Sequence, residues 1–438
     1  MLHLSSGSTS DERLNSLDTI LPLFSYTINI MALITVHELQ TLIQHTLAAH
    51  STPLAIESLP VAVATGRVLA ENITANIHIP HANVSAMDGY ALPAAALAGS
   101  RWRLIGEAAA GHGFDAPVPA DACIRIMTGA VVPDDCVTVV MQENVRVEGD
   151  EIVLTQDATA GSHIRYRGEE VAQGSTVLHA GRILRAADVL LLAALGVGQV
   201  PVYRKLKVAV LSTGDELCEP DTALQHPSQI YDSNRYMLMA RLHQLAVDVI
   251  DLGKVADDLD RIMHVLQTAA QQADVIITSG GVSVGDYDYL REAVQRLGVI
   301  HHYKVAMKPG KPFVFGRLGQ AWYFGLPGNP ISGFAGFDQF LKAALWQLNG
   351  ANELPKPLSF PAILSQPVKK TVGRMDFQRA IIQQQADGTW LAAPCGSQDS
   401  HRVLGMSQAN AYLILPLESG SLPAGSQVMV QPFSETFL

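Results

Sequence analysis

Charge is scarce in this sequence. Asp, Glu, Lys and Arg make up 16% of its 438 residues, against about 25% in ordinary globular chains. Together with a hydrophobic fraction of 48%, that excludes a disordered chain, which needs low hydrophobicity and high charge. Positive charge is scarcer still: 30 basic residues face 41 acidic ones, for a formal charge of −11. A surface of that sign suits neither bulk nucleic acid nor an anionic membrane. Any anionic ligand must therefore be held by a local basic cluster. Cysteine is nearly missing, with only Cys123, Cys136, Cys218 and Cys395. No CxxC pair exists, which argues against a zinc ribbon. Four scattered cysteines in so long a chain do not make a disulfide framework, and the expected compartment is a reducing cytoplasm. Long apolar runs are also lacking. Residues 19–36 are apolar but broken by Pro22, Ser25 and Asn29, and no basic segment precedes them. They meet the requirements of neither a secretory signal nor a spanning helix. Residues 1–31 read as a poorly ordered extension, with Met31 the expected true start; mass spectrometry of the native N-terminal peptide tests this. Internal repeats and low-complexity tracts are absent.

What is present is chain enough for two to four domains. Residues 35–50 carry Val36, Leu39, Leu42, Ile43 and Leu47 at helical spacing, with Thr35 and Glu38 as a capping box. Residues 54–80 read as a short helix and a strand. From about 90 to 180, short β-type runs (102–105, 123–127, 138–141, 151–154) alternate with Gly and Pro, the pattern of a small β module. Residues 186–198 form an apolar helix closed by Gly196 and Gly198. From 206 to 348 strands and helices alternate: strands at 206–211, 247–252 and 274–278, helices at 234–245, 258–272, 287–297 and 331–348. VAVL and VIIT are apolar throughout, as strands covered on both faces should be. This predicts a doubly wound α/β domain with a mainly parallel sheet. Pro355 and Pro357 mark a linker, and residues 358–438 return to short strands.

Several motifs carry chemistry. Thr278-Ser279-Gly280-Gly281-Val282-Ser283-Val284-Gly285-Asp286-Tyr287-Asp288 follows an apolar strand and opens a helix. A glycine-rich turn there lets backbone N–H groups approach a phosphate, helped by the helix N-terminus. It is neither a P-loop nor GxGxxG. Phosphate binding is favoured over an ordinary tight turn, because two adjacent glycines are joined by three hydroxyl side chains. Ser212-Thr213-Gly214-Asp215-Glu216 ends the first strand of that domain, and Asp257-Asp258 follows the next. Ligands of open α/β sheets sit outside the carboxyl ends of strands. Carboxylates beside a phosphate point to a hard cation such as Mg²⁺. The bland alternative is helix capping, which is preferred for Asp258; for Glu216 and Asp288 both readings stay open. Lys304, Lys308 and Lys311 fall in eight residues stiffened by Pro309, Gly310 and Pro312. In so acidic a chain that is a good anion site, although a solvated basic turn is the usual reading of such a cluster. Gly325-Leu326-Pro327-Gly328-Asn329-Pro330 joins a strand to a helix as a stiff turn. Outside this domain stand Ser85–Tyr90, Arg125–Ala130 and the run Arg165, Arg167, Gly168, Glu169, Glu170. His78, His81, His301 and His302 have no third ligand at suitable spacing, and no nucleophile elbow is present.

The ordered set SAMDGY (85–90), TGA (128–130), RxRGE (165–169), STGDEL (212–217), TSGGVSVGDYDY (278–289), KPGKP (308–312), GLPGNP (325–330) and GRMDFQR (373–379) resembles the MoeA-type molybdopterin molybdenumtransferases of molybdenum cofactor biosynthesis, relatives of the gephyrin C-terminal domain. The resemblance runs over about 32–438. It implies a multidomain α/β plus β fold. Residues 32–55 and 171–205 would make a discontinuous linker domain and 56–170 a small β domain. Residues 206–350 would be the molybdopterin-binding α/β domain and 351–438 a C-terminal β domain. It further implies a homodimer whose active site is shared between protomers, and a reaction in which adenylylated molybdopterin and molybdate give molybdenum cofactor and AMP with Mg²⁺. By the same likeness, Thr213, Gly214, Asp215, Ser279, Gly280, Gly281, Ser283 and Gly285 hold pterin and phosphate. Glu216, Asp257 and Asp288 serve the cation and the catalysis. Lys308, Lys311, Arg374 and Ser400 take the anion, with Pro327 and Pro330 shaping the loop beside it and Lys304 counted among the substrate-binding residues. Asp88 and Thr128 support activity from the small domain, and Glu170 contributes to substrate binding.

Two departures stand out. The loop before SAMDGY reads Pro80-His81-Ala82-Asn83-Val84, where the family usually has an aromatic and an acidic residue, then Asn or Arg. Glu170 stands where Asp is usual. Rival readings are a molybdopterin adenylyltransferase, which is usually a single domain, and a non-catalytic scaffold of the gephyrin type. A molybdopterin adenylyltransferase and apo-molybdoenzymes or their chaperones would be further partners.

Overall fold

The computed structural model describes residues 33–280, 282 and 289–434. The chain divides into two compact units: residues 58–65 with 69–202 form one, and the rest of the described chain the other.

The larger unit starts with strand β1 (Leu33–Ile34) and helix α1 (Val36–His50). Thr35 Oγ1 accepts from Glu38 N at 3.2 Å while Glu38 Oε2 accepts from Thr35 N at 2.8 Å, so the expected capping box is formed. Leu39, Ile43 and Leu47 supply the buried stripe.

The smaller unit follows. Its main sheet contains β2 (Gly89–Leu92), β3 (Arg101–Ala108), β4 (Ala122–Ile126), β5 (Thr138–Met141), β6 (Val145–Glu148) and β7 (Glu151–Leu154), in the order β5-β2-β4-β3-β7-β6. Alternating residues feed two apolar clusters, one around Ala91, Ile124 and Val139, the other around Tyr90, Trp102 and Ile152. Helix α2 (Ala186–Ala194) packs Leu192 into a third, with Leu69, Leu184 and Val200. Between 54 and 80 the helical piece is one 3₁₀ turn, Val61–Val63, followed by the strand Ile73–Thr74, and a further strand, Ile56–Pro60, precedes both.

The larger unit resumes with the α/β core: β8 (Leu206–Thr213), α3 (Ser233–Leu242), β9 (Val247–Val255), α4 (Leu259–Gln272), β10 (Val275–Ser279), α5 (Tyr289–Leu297), β11 (Gly298–Val305), β12 (Met307–Lys308), β13 (Pro312–Leu318), β14 (Ala321–Leu326), α6 (Pro330–Gly336) and α7 (Lys342–Leu348). Seven strands run in the order β1-β11-β13-β14-β10-β8-β9. The β14-β10-β8-β9 half is parallel, and Val208–Leu211 are fully buried, as their unbroken apolar run requires. Strand β13 is antiparallel to both neighbours, so the sheet is mixed. Asp258 caps α4 by accepting from Arg261 N at 2.8 Å, the capping role expected of it. The single helix expected over 331–348 is interrupted. A π-turn, Phe337–Leu341, separates α6 from α7 and carries Asp338, which accepts from Arg241 and Tyr412.

The chain ends in β15 (Phe360–Leu364), β16 (Met375–Gln384), β17 (Trp390–Pro394), α8 (Val403–Gln408), β18 (Ala411–Leu415) and β19 (Gln427–Pro432). The five long strands pair in a closed cycle, β16-β17-β15-β19-β18 and back to β16, with β12 added beside β16. Phe377 and Tyr412 of this barrel share one buried cluster with Phe313 and Phe324 of the sheet. Barrel and sheet are therefore one packed body. Among the described residues, no helix is long and apolar enough to cross a membrane.

Candidate functional site

Parallel strands place their carboxyl ends on one edge, and here four of them do so. At the end of β8, Gly214 has φ +142°, and a Cβ there would lie 2.5 Å from Glu216 Oε2. Only glycine lets the Glu216 carboxylate fold back over the turn. At the end of β10, Gly280 has φ +105° and its missing Cβ faces Thr213 Oγ1 at 3.4 Å. Gly280 N donates to Leu326 O at the end of β14, at 3.0 Å. The three turns carrying Thr213, Gly280 and Gly328 therefore converge.

Asn234, in the first turn of α3, ties two of them. Its Nδ2 donates to Ser279 Oγ at 2.7 Å and to Gly328 O at 2.8 Å. Its Oδ1 is buried with no hydrogen-bond partner among the described residues. Just behind, Asp232 accepts from Ser212 Oγ at 3.2 Å and from Arg235 N and Nε. Arg235 also binds Asp251 and Glu219. Burial opposes the Arg235 charge, yet the hydrogen bonds of Asp251 and Asp232 keep its pKa above the ordinary value.

The acidic pair beside this edge is held by the main chain. Asp215 N donates to Asp257 Oδ2 at 3.4 Å, and Asp257 N donates to Asp215 Oδ1 at 3.2 Å. The carboxylates of Asp215, Glu216 and Asp257 are exposed. Oxygen-only donors of this kind fit a hard cation. Among the described residues no group of three or more His, Cys, Asp or Glu side chains is arranged to hold a metal. Gly281, Ser283, Gly285 and Asp288 lie outside the described residues.

The basic side lies around the start of α6. Val305 N donates to Lys311 O at 2.7 Å and closes the lysine turn. Gly310, at φ +98°, faces Ser332 O of α6, 3.3 Å from where its Cβ would be. Lys308 pairs in register with Asp376 of β16, and Met375 N donates to Ala306 O, so Arg374 enters the same neighbourhood. Ile331 N donates to Ser400 O at 3.3 Å. Pro330 takes the first position of α6, where its missing N–H costs nothing, and Pro327 is buried before it. Lys304 is exposed near the end of β11. Among the described residues no side-chain hydrogen bond or ion pair engages Lys304, Lys308, Lys311 or Arg374. The start of α6 thus links the lysine turn and the Ser400 loop to the turn at Gly328, which touches Gly280. A cavity of about 910 Å³ in the same unit is lined instead by residues such as Gln40, Lys342, Lys356 and Gln431, and by none of these groups.

The smaller unit carries its own constellation. Asp88 Oδ1 accepts from Thr128 N and Thr128 Oγ1, both at 2.7 Å. The Thr128 backbone N–H, then its hydroxyl, hold the Asp88 carboxyl below its ordinary range. Arg125 donates to Tyr90 OH and to Gln142 Oε1. Glu170 is exposed, and its backbone N–H donates to Ile79 O. The unusual loop before Ser85 has a structural use: Asn83 Oδ1 accepts from Arg167 N at 2.9 Å. The buried Cys123 and Cys136 thiols are pushed up to about 12, so neither is poised as a thiolate.

Sequence reading missed Asn234, Asp232, Arg235 and Arg379. Asp232, immediately before α3, was the available signal, since Asp there announces an N-cap.

Three families match consecutive stretches: the MoeA N-terminal region (domain I and II) over residues 34–196, the probable molybdopterin binding domain over 209–347, and the MoeA C-terminal region (domain IV) over 361–433. The molybdopterin molybdenumtransferase of Haemophilus influenzae is 39% identical, over 87% of this chain and 95% of that protein. Gephyrin of Dictyostelium discoideum is 30% identical, over 85% of this chain and 59% of that protein. The solved molybdopterin biosynthesis moeA protein from Pyrococcus horikoshii OT3 superposes with a TM-score of 0.78 at 29% identity, covering 92% of this chain and 100% of that one. The chain therefore belongs to the molybdopterin molybdenumtransferase family, transferases of molybdenum cofactor biosynthesis.

Proposed function

We propose that this chain inserts molybdenum: adenylylated molybdopterin and molybdate are converted to molybdenum cofactor and AMP. The observation that carries this reading is the start of α6. It joins a glycine-lined edge fit for a phosphoanhydride to a cluster of cations, uncommitted among the described residues, that is fit for a tetrahedral dianion. Thr213, Gly214, Asp215, Ser279 and Gly280 would bind the pterin nucleotide, with Gly281, Ser283 and Gly285 in the adjoining turn. Lys308, Lys311, Arg374 and Ser400 would bind molybdate, and Lys304 would add to the field. No side chain acts as nucleophile. Water attacks the AMP phosphorus, the anhydride oxygen leaves on the pterin phosphate, and AMP departs carrying the oxygen of that water. The two dithiolene sulfurs bond to molybdenum and displace one molybdate oxygen, which leaves as water with the two thiol protons. Glu216 and Asp257, with Asp288, would hold Mg²⁺, which when bound neutralises charge as the anhydride breaks.

Asp88, Thr128 and Glu170 belong to the other unit, and the reading assigns them to a partner protomer's site in a cytoplasmic homodimer. The four-domain division, with boundaries near 56, 171, 206 and 351, goes with it, as do transfers from an adenylyltransferase and to apo-molybdoenzymes or their chaperones. The test is incubation of purified protein with adenylylated molybdopterin, Mg²⁺ and molybdate, following AMP. Molybdate-dependent AMP release that is lost in Asp288→Asn is expected. Tight substrate binding without AMP release would instead make the chain a scaffold or carrier.

A further inference from the structure

Arg379 stands near the middle of β16, in the barrel beside the anion cluster, and is only 1% exposed. A buried guanidinium is ordinarily matched by a carboxylate, because an unmatched charge is costly to bury. Among the described residues no carboxylate hydrogen-bonds to this one. Its Nη2 instead donates to two backbone carbonyls of the same loop, Ser397 O and, at 3.2 Å, Asp399 O. Its Nε is buried without a partner. The nearby Asp399 carboxylate is taken by Ser397 Oγ and Arg402.

The same residue grips the loop through its main chain. Arg379 N donates to Gln398 Oε1 at 2.8 Å, while Gln398 Nε2 returns a bond to Arg379 O at 3.1 Å. Cys395 N also donates to Arg379 O, at 2.8 Å. Residues 395–399 are thus wired to one point of a barrel strand. The next residue is Ser400, whose carbonyl meets Ile331 N at the start of α6.

We propose that Arg379, assisted by Gln398, is the positioning residue of the tetrahedral-oxyanion subsite: it fixes the 395–400 loop so that Ser400 stays against the start of α6. This rests on the reading of Lys308, Lys311, Arg374 and Ser400 as the molybdate-binding groups. Lysine cannot replace Arg379. Arg379 Nη2 serves both carbonyls, and a lysine ammonium ends one bond short of that nitrogen on a more flexible stem. Tight placement of binding groups by a supporting shell is what small-anion sites need.

The test is the molybdate dependence of AMP release by full-length Arg379→Lys, Ser400→Ala, Lys308→Ala and the double variant Arg379→Lys/Ser400→Ala. Binding of adenylylated molybdopterin and thermal midpoint are measured alongside. Arg379→Lys should raise the molybdate KM at least tenfold while the affinity for adenylylated molybdopterin stays within twofold. Ser400→Ala should raise the KM in the parent and add nothing in the double variant, since coupled residues are non-additive. A folded Arg379→Lys with parental molybdate KM, or additive effects, would overturn the proposal. If Lys308→Ala raises the KM and Ser400→Ala does not, the loop is not part of the subsite and the proposal fails alone. If neither moves it, the anion reading fails too. Should Arg379→Lys not fold, Gln398→Ala carries the test: a KM rise of threefold or more supports the wiring, and an unchanged KM overturns it.

Discussion

The acidic and basic sides of the larger unit are built on opposite plans. On the acidic side the carboxylates are structurally committed. Asp215 and Asp257 exchange backbone bonds, Asp232 is buried against Arg235, and Asp258 caps α4. On the basic side Lys308, Lys311 and Arg374 have no such engagements among the described residues, and Arg379 is committed to a loop rather than to a carboxylate. A carboxylate change therefore mixes loss of structure with loss of chemistry, whereas a lysine change there should report chemistry alone.

The largest effect expected on the committed side is from Arg235→Leu. Removing the guanidinium strands Asp232, which is 1% exposed, as an unpaired buried charge, costing about 3–5 kcal/mol. Denaturant unfolding of the variant reads this. A loss under 1 kcal/mol would mean that Asp232 is satisfied without Arg235. The contrasting change is Lys308→Ala. It should lower molybdate kcat/KM by about 10–100-fold, the loss of one charge-assisted contact, and shift stability by less than about 0.5 kcal/mol. A stability loss as large as that of Arg235→Leu would abolish the contrast. Smaller again is Asp258→Ala, which removes the α4 cap and should cost about 1 kcal/mol with the molybdate dependence unchanged. An altered molybdate KM would show that Asp258 serves the site as well as the helix.

The same contrast explains what could be read in advance. Local signals were legible. The Thr35–Glu38 box, the buried runs of β8 and β10, the Asp258 cap, and Pro330 opening α6 each depend on residues within a few positions. The order of recognisable motifs also named the family. What stayed hidden depends on partners distant in sequence. Nothing near Arg379 announces that its guanidinium will meet Ser397 O and Asp399 O. Asn234 reaches Ser279 and Gly328 across 45 and 94 residues. The break at Phe337–Leu341 escaped because its apolar spacing continues that of a helix. Strand β13 runs antiparallel to β14 because a two-residue connection can only form a hairpin.

The smaller unit extends the comparison to a carboxylate with no buried counter-charge. The Asp88 pKa is lowered first by the Thr128 backbone N–H and only then by its hydroxyl. Because the folded value lies below the unfolded one, the stabilisation is complete above the ordinary carboxyl range of about 4 and is lost as pH falls through the lowered value. Thr128→Val removes the hydroxyl and leaves the N–H. The Asp88 carboxyl should rise part of the way toward its ordinary value, so that the stabilisation is smaller and its loss on acidification is complete at a higher pH. Carbon-13 titration of the Asp88 carboxyl follows this directly. An unmoved value would make the hydroxyl irrelevant to the charge. A full return to the ordinary value would mean that the backbone bond does not survive without it, and that Asp88 is held by the Thr128 side chain rather than by the turn at Gly129.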